Sequence, residues 1–141
     1  RAGERVYVIG HIPNNSGNLL EPWADGVNAV LSNYSNIIAA SFYGHTHMDG
    51  MNIMFDYETQ SIPVGIAFVC PSVTPETDIN PSFRMYFYDR TTFEVTRSLV
   101  LDYHQYTVDL ATANEQGYID WQFIYSPLTD YNMTALAPAD Y

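Results

Sequence analysis

Three histidines in this sequence have the types and spacing of metal ligands. His45 and His47 stand one residue apart, just after an apolar run that ends in Gly44, and His11 follows a second apolar run that ends in Gly10. Imidazole nitrogens are common zinc ligands, and side chains two residues apart in extended backbone point the same way. The pattern therefore predicts that these three histidines bind one metal ion or two neighbouring ions.

A polar turn without a ligand is the alternative for His45 and His47 taken alone. We expect Gly44 to allow a tight backbone conformation before the pair. Asp49, two residues further on, could accept a hydrogen bond that orients an imidazole, or could be an ordinary turn residue. Three imidazoles would supply part of a two-metal site, which also needs carboxylates to bridge the ions.

The elements that must position these residues follow from the periodicity of the apolar positions. Strands are predicted at residues 6–9, 37–43, 51–57 and 85–88, and residues 63–69 form a further apolar run. Apolar residues at helical spacing over residues 23–34 predict a helix, and Pro22 suits its first position. A polar loop spans residues 71–81. After a turn at residues 89–92, one buried face of a meander is predicted from alternating apolar residues, namely Phe93, Val95, Leu99, Leu101, Tyr106, Val108 and Leu110. A final helix is predicted from Trp121, Ile124, Tyr125 and Leu128.

This order of strand, helix, strand and then several antiparallel strands predicts a mixed α/β fold. His11 and His45 both follow the carboxyl end of a predicted core strand. Ligand sites of open α/β sheets gather outside those ends, so we expect the two histidines to meet there.

The composition argues against nucleic-acid binding and against a membrane span. The 141 residues carry 5 Lys+Arg against 16 Asp+Glu, a net charge of −11, which argues against binding nucleic acid through its phosphates. No run approaches the roughly 18 apolar residues of a membrane span, and we expect no signal peptide at the start. Cys70, the single cysteine, is interpreted as a buried apolar residue or the partner of a cysteine elsewhere. Asn14, Asn33 and Asn132 begin glycosylation sequons, where about one or two are expected by chance.

Several stretches together resemble the acid sphingomyelinase branch of the calcineurin-like metallophosphoesterases. They are GHIP at residues 10–13, FYGHTHMDG at 42–50, AFVCPSVTPETDINPSFRMYFYD at 67–89, LDYHQYTVDL at 101–110 and WQFIY at 121–125. The GH-x-H motif marks the superfamily, and Asn80-Pro81 leading into Arg84-Met85-Tyr86 points to the branch. The resemblance implies part of a four-layer α-β-β-α sandwich with mixed sheets.

The resemblance also implies a two-metal phosphodiesterase. His11 and His45 would bind one zinc ion and His47 the other, and the two ions would clamp a phosphodiester and activate a water. In the family the bridging Asp, a D-x-H pair and the G-D and G-N-H motifs come earlier in the chain, and none precedes His11 here. We therefore expect residues 1–110 to be the C-terminal half of a catalytic domain, inefficient without the N-terminal half. Residues 111–141 would begin a C-terminal helical extension.

Two strings imitate the missing motifs. Asp102-Tyr103-His104 matches D-x-H but falls late in the chain, and Gly17-Asn18 lacks the histidine that should follow. We interpret both as structural, with His104 a half-exposed strand residue.

The substrate and some competing functions remain open at this stage. Sphingomyelin, cleaved to ceramide and phosphocholine, is the first expectation, and a nucleotide or another soluble phosphodiester is the alternative. Glu76 and Asp78 could favour a choline group or form an ordinary solvated loop. An inactive relative that binds lipid or protein, or a structural metal site, would also fit the histidines. By resemblance and sequons, we expect a secreted or lysosomal glycoprotein.

Overall fold

The computed structural model describes residues 4–14, 17, 19–76, 78–88 and 100–140. Within them the chain forms two β-sheets with short helices. The strands are β1 (Val6–Ile9), β2 (Ile38–Tyr43), β3 (Gly50–Phe55), β4 (Pro63–Val69), β5 (Ser82–Tyr88), β6 (Val100–Thr107) and β7 (Gln122–Tyr125). The helices are α1 (Glu21–Asn33), α2 (Leu110–Gln116) and α3 (Pro127–Asp130), followed by a 3₁₀ turn at Pro138–Asp140. The predicted α/β class is confirmed, whereas the four-layer sandwich and the boundary at residue 110 stay predictions.

The first sheet is mixed and has the strand order β1-β2-β4-β3. β1, β2 and β4 run parallel, and β3 returns antiparallel to β4. α1 connects the parallel strands β1 and β2, as such a crossover requires. The carboxyl ends of β1 and β2 therefore lie side by side at one edge of the sheet, directly before His11 and His45.

The second sheet is antiparallel, in the order β5-β6-β7, and packs against the first through a shared core. The buried members of this core come from both sheets and from the C-terminal segment: Ala40, Ile66, Phe68, Val100, Tyr103 and Leu136. Phe68 of β4 is 1% exposed, and its ring centroid lies 5.4 Å from that of Tyr86 and 5.9 Å from that of Tyr103. Aromatic contacts of this kind join the sheets beneath the histidine edge.

α1 confirms the predicted helix but shifts its start. It begins at Glu21, so Pro22 occupies the second position, where its missing N–H is still tolerated. Of its apolar residues only Leu31 is buried, and Trp23 is 68% exposed. Among the described residues, no helix is both long and apolar enough to cross a bilayer.

The C-terminal part differs from the prediction. The helix expected from Trp121 to Leu128 is wrong, because β7 pairs with β6 and only the four-residue α3 follows it. Leu101, expected on the buried face, is exposed, and Leu110 begins α2 instead of continuing a strand. Val108 is buried as expected. The predicted turn at 89–92 and the apolar positions Phe93, Val95 and Leu99 lie outside the described residues.

Candidate metal centre

His11 and His45 meet at the edge where β1 and β2 end. The Nε2 atom of His11 lies 3.4 Å from the Nδ1 atom of His45, and their ring planes are inclined by 77°. Backbone hydrogen bonds fix the two segments together: Gly10 N–H donates to the Phe42 carbonyl over 3.0 Å, and Gly44 N–H donates to the His11 carbonyl over 3.0 Å. The expected meeting of these two histidines is confirmed.

Gly10 is required by the close approach of the two strands. A Cβ atom at this position would lie 2.8 Å from Cε1 of the Tyr43 ring, which is well inside ordinary van der Waals contact. Tyr43 is buried at the end of β2, so its ring has little room to move. The glycine therefore lets β1 approach β2 closely enough to place His11 beside His45.

The backbone at His45 and His47 is not extended, and that prediction is wrong. His45 has a φ of 72° and His47 a φ of 61°, both in the left-handed region that residues with side chains rarely adopt. Gly44, expected to provide the unusual conformation, lies outside that region. Non-glycine residues in left-handed conformations cost about 1–3 kcal/mol each and concentrate at functional sites, where the surrounding structure holds them.

His47 differs from the other two histidines in the contacts of its ring. Its Nδ1 atom is buried and has no hydrogen-bond partner, while its carbonyl accepts from Ser72 N–H over 3.2 Å. Among the described residues, no three side chains of His, Cys, Asp or Glu form a group that could hold one ion. The structure thus brings two predicted ligands together and leaves the third with an unsatisfied buried nitrogen.

Asp49 takes neither of the roles expected for it. One carboxylate oxygen forms an ion pair with Nη2 of Arg84, and the other accepts a hydrogen bond from the Tyr125 hydroxyl. Arg84 belongs to β5 and Tyr125 to β7. This carboxylate therefore connects the loop of residues 44–49 between β2 and β3, called the histidine loop below, to the second sheet. Sequence reasoning missed both partners; the available signal was one arginine inside an apolar strand of a chain with only 5 Lys+Arg.

The guanidinium of Arg84 lies in a polar cluster between the sheets, and its side chain is fully buried. It lies 3.9 Å from the centroid of the Tyr103 ring, which favours a desolvated cation. Its Nε donates to Oε1 of Gln105 over 3.0 Å, and its Nη1 donates to the Tyr86 hydroxyl over 3.4 Å. These bonds, together with Asp49, satisfy a buried charge that would otherwise be costly.

Cys70 adjoins this cluster and is half-buried. Its Sγ lies 3.2 Å from the Tyr86 hydroxyl oxygen, and burial raises the pKa of its thiol. Burial likewise raises the pKa of Tyr86, an effect that the nearby Arg84 opposes, and burial is also the largest cause of the raised pKa of Tyr125. The three groups are therefore neutral near pH 7, so Arg84 and Asp49 are the charged pair of the cluster.

A cleft of about 350 Å³ opens beside His47. Its apolar lining comes from Met48, Pro71, Ile79 and Ile124. Asp49 and Tyr125 also line the cleft. The amide groups of Asn80 and Gln105 also face it, but both already bond within the protein: Asn80 Oδ1 accepts from Leu110 N–H, and Gln105 Nε2 donates to the Phe83 carbonyl. The cleft thus offers mainly an apolar surface next to the predicted ligand.

The structure agrees with a structural role for His104. This half-exposed residue of β6 has its Nε2 atom 3.7 Å from Oδ2 of Asp102, and its ring contacts Phe87 and Phe123. No described interaction links it to His11, His45 or His47. Gly17 is exposed with a φ of 70°, and Asn18 lies outside the described residues.

The three sequons differ in accessibility. Asn14 is only 3% exposed, and its amide nitrogen donates to the side-chain oxygen of Asn28. Asn33 and Asn132 are exposed. Because a glycan is attached through the amide nitrogen, the structure favours Asn33 and Asn132 over Asn14; attachment itself stays a prediction.

Comparison with known proteins places the chain in a family. A sequence model described as the acid sphingomyelin phosphodiesterase C-terminal region matches residues 62–141. The chain is 36% identical over 137 residues to a sphingomyelin phosphodiesterase of Homo sapiens, and 33% identical over 140 residues to sphingomyelin phosphodiesterase A of Dictyostelium discoideum. It is also 34% identical over 152 residues to a cyclic GMP-AMP phosphodiesterase of Bos taurus. The chain belongs to the acid sphingomyelinase-like family.

These relatives are much longer than the chain. The alignments cover 96%, 99% and 96% of this chain, but only 21%, 23% and 31% of the human, Dictyostelium and bovine proteins respectively. The chain therefore spans about a fifth to a third of the relatives it matches.

Proposed function

We propose that the protein containing this chain hydrolyses a phosphodiester at a two-metal centre. His11 and His45 would hold one zinc ion and His47 the second. The distance of 3.4 Å between His11 Nε2 and His45 Nδ1 carries this proposal. Two nitrogen ligands of one tetrahedral zinc, each about 2.0–2.1 Å from the metal, lie about 3.3–3.4 Å apart, so these imidazoles fit a shared ion without large movement.

The chemistry of the remaining groups also supports a metal. The buried Nδ1 of His47 has no hydrogen-bond partner, and a buried polar atom without one is unfavourable unless it serves another role. The chain is strongly acidic, and the side chain of Arg84 is fully buried and paired with Asp49. When bound, two zinc ions would supply the positive charge and the activated water that phosphodiester hydrolysis needs.

In this proposal, the residues of this chain hold and orient the metal ions. His11 and His45 would fix one metal position at the ends of two parallel strands, and His47 would fix the other beside the apolar cleft. The bridging aspartate and the other ligands implied by the family resemblance would come from the N-terminal half of the catalytic domain. We accordingly expect the isolated chain to be inefficient as a catalyst.

For the substrate, sphingomyelin is our first proposal and a nucleotide is the second. The human and Dictyostelium relatives are named for sphingomyelin and the bovine relative for cyclic GMP-AMP. The net charge of −11 repels a dianionic nucleotide, and the cleft beside His47 is mainly apolar. Both features favour a substrate that carries no more negative charge than a single phosphate group. Two exposed sequons support a secreted or lysosomal glycoprotein.

Metal analysis of the purified protein tests the ligand assignment. We expect about two zinc ions per molecule. His11→Ala and His45→Ala should each weaken the same site, whereas His47→Ala should weaken the other. His104→Ala is the matched control and should leave the zinc content unchanged. Equal zinc content in all four variants would contradict the assignment.

Activity measurements separate the substrate classes and the inactive alternative. Sphingomyelin in neutral vesicles and cyclic GMP-AMP in solution should be offered to the zinc-loaded protein under the same conditions. Release of phosphocholine with little cleavage of the nucleotide is the expected result. Preferential cleavage of the nucleotide would reverse the order of the proposals. Binding of vesicles without hydrolysis of either substrate would instead favour an inactive lipid-binding relative.

A further inference from the structure

The carboxylate of Asp49 attaches the histidine loop to the second sheet. Asp49 follows His47 by two residues, and its two oxygens bond to different strands: one to Arg84 of β5 and the other to Tyr125 of β7. Neither oxygen bonds to an imidazole. The attachment therefore acts on the loop as a whole, at the position just before β3 begins.

The side chain of Arg84 is itself fixed by several contacts. Gln105 accepts from its Nε over 3.0 Å, and the Gln105 amide in turn donates to the carbonyls of Phe83 and Tyr106 over 3.0 and 3.1 Å. The Tyr103 ring lies beneath the guanidinium. A side chain with this many fixed contacts is a rigid anchor, because the planar guanidinium can satisfy them in only one orientation.

The loop needs such an anchor. Two non-glycine residues in left-handed conformations, His45 and His47, are stable only where neighbouring contacts determine the backbone. The other described hydrogen bonds of the loop run between uncharged groups. Gly44 N–H donates to the His11 carbonyl over 3.0 Å, Thr46 N–H to the Gly44 carbonyl over 2.9 Å, Ser72 N–H to the His47 carbonyl over 3.2 Å and Met48 N–H to Thr46 Oγ1 over 3.4 Å. The bonds of Asp49 to the second sheet are the charged contacts of the loop.

We propose that Arg84, acting through Asp49, is a positioning residue that holds His45 and His47 in the conformation needed to bind metal. The link to metal binding rests on the proposed function, but the hold on the loop does not. Tyr125 shares the same role through its hydroxyl. A purely structural contribution of the ion pair would affect global stability without a selective effect on the loop.

Hydrogen–deuterium exchange on the metal-free protein that contains this chain tests directly whether Arg84 and Asp49 hold the loop. Asp49→Ala, Arg84→Lys and Tyr125→Phe should accelerate exchange of the hydrogen-bonded amides of residues 44–48. We expect about tenfold or more for the first two, because a hydrogen bond to a charged group is lost, and a smaller effect for the hydroxyl. Asp109→Ala is the matched control, since it removes a carboxylate that caps α2. It should accelerate exchange in α2 and leave the loop unchanged.

Tyr125→Phe keeps the experiment decisive if the charged variants do not fold, because it removes one hydroxyl only. Wild-type exchange of residues 44–48 in every folded variant would overturn the proposal. The same would follow if the loop accelerated only as much as β1, β4 and α2, since the effect would then be global.

Titration of the protein that contains this chain, including the N-terminal half of the catalytic domain, with Zn²⁺ alone tests the functional link. Folded variants with a loosened loop should bind zinc about 10–100-fold more weakly, as is typical when a residue behind a ligand is removed. Unchanged zinc affinity despite a loosened loop would overturn the positioning role. Absence of zinc binding by the wild-type protein would overturn the proposed function instead, and the exchange data would still decide whether Arg84 holds the loop.

Discussion

Replacing Gly10 by alanine should destabilise the protein through one contact at the histidine edge. Gly10 is not in the left-handed region, so alanine can adopt its backbone conformation. The added Cβ would meet Cε1 of Tyr43 at 2.8 Å and Cδ1 at 3.1 Å, where favourable carbon contacts lie at about 3.5–4.0 Å. Gly10 itself is exposed, but the Tyr43 ring is buried, and overpacking against a buried side chain costs about 1–3 kcal/mol. The lower entropy of the unfolded chain returns about 0.4–1 kcal/mol. Taking the middle of each range, we expect a net loss of about 1.3 kcal/mol in the free energy of unfolding.

Two other glycines provide matched controls. Gly26 lies inside α1 with no atom within 4 Å of an added Cβ, so Gly26→Ala should stabilise the protein by about 0.5–1 kcal/mol. A Cβ at Gly65 would come even closer to its neighbour than at Gly10, but that neighbour is the terminal methyl of Met54. Since a methionine side chain can move aside, Gly65→Ala should cost less than Gly10→Ala despite the shorter contact.

Urea unfolding of the three variants, followed by fluorescence, gives the free energies needed. Gly10→Ala should have the lowest stability and Gly26→Ala the highest. Because Gly10 also sets the approach of His11 to His45, zinc affinity should fall in Gly10→Ala and not in Gly65→Ala. A Gly10→Ala protein within about 0.5 kcal/mol of the wild type would show that β1 is free to move away from Tyr43, and would refute the packing argument.

Three further predictions concern titration and reactivity. In an absorbance titration at alkaline pH, Tyr86 and Tyr125 should ionise at higher pH than exposed tyrosines. Because folding raises their pKa values, their stabilising contribution should be lost as pH rises above about 10. Asp109 accepts from Thr112 N–H and has a lowered pKa, so its contribution should be present above about pH 4 and lost in acid; the acid unfolding curve of Asp109→Ala should lack this step. The thiol of Cys70, whose pKa is raised by burial, should react with a disulfide reagent at pH 8 more slowly in the folded protein than in urea, and equal rates would contradict its placement beside Tyr86.

Local patterns located the strands of the first sheet and α1 well because short-range signals set them, but they did not give the strand directions: β4, expected among the antiparallel strands, runs parallel to β2. Alternating or continuous apolar runs bounded by glycine and proline located β1, β2 and β4 to within a residue, and β4 matched residues 63–69 at both ends. The spacing of Trp23, Val27 and Val30 likewise predicted α1. For these elements the residues that determine the structure lie within the element itself.

The local pattern predicted β7 of the second sheet wrongly, because the contacts that determine this strand are distant in sequence. Ile124, Tyr125 and Leu128 are spaced as on a helix, but Ile124 and Tyr125 lie in a strand because residues 122–125 pair with β6, and only Leu128 lies in a helix, the short α3. Tyr106 pairs with Phe123 in register, and their ring centroids lie 5.8 Å apart. Such cross-strand aromatic pairs stabilise a sheet without leaving a signal in the local sequence.

In the candidate site, too, the local sequence predicted some features and distant contacts determine the others. The glycine–histidine motifs predicted which side chains would meet, since two parallel strands must end at one edge. They could not predict how the loop is held, because Asp49 is 35 residues from Arg84 and 76 from Tyr125. Nor could they predict left-handed histidines, because that conformation is unfavourable locally and persists only with distant support. If these histidines bind metal as proposed, the motif accounts for only part of the site. We would then expect that copying residues 42–50 to another sheet without a counterpart of Arg84 transfers the histidines but not the conformation proposed for metal binding.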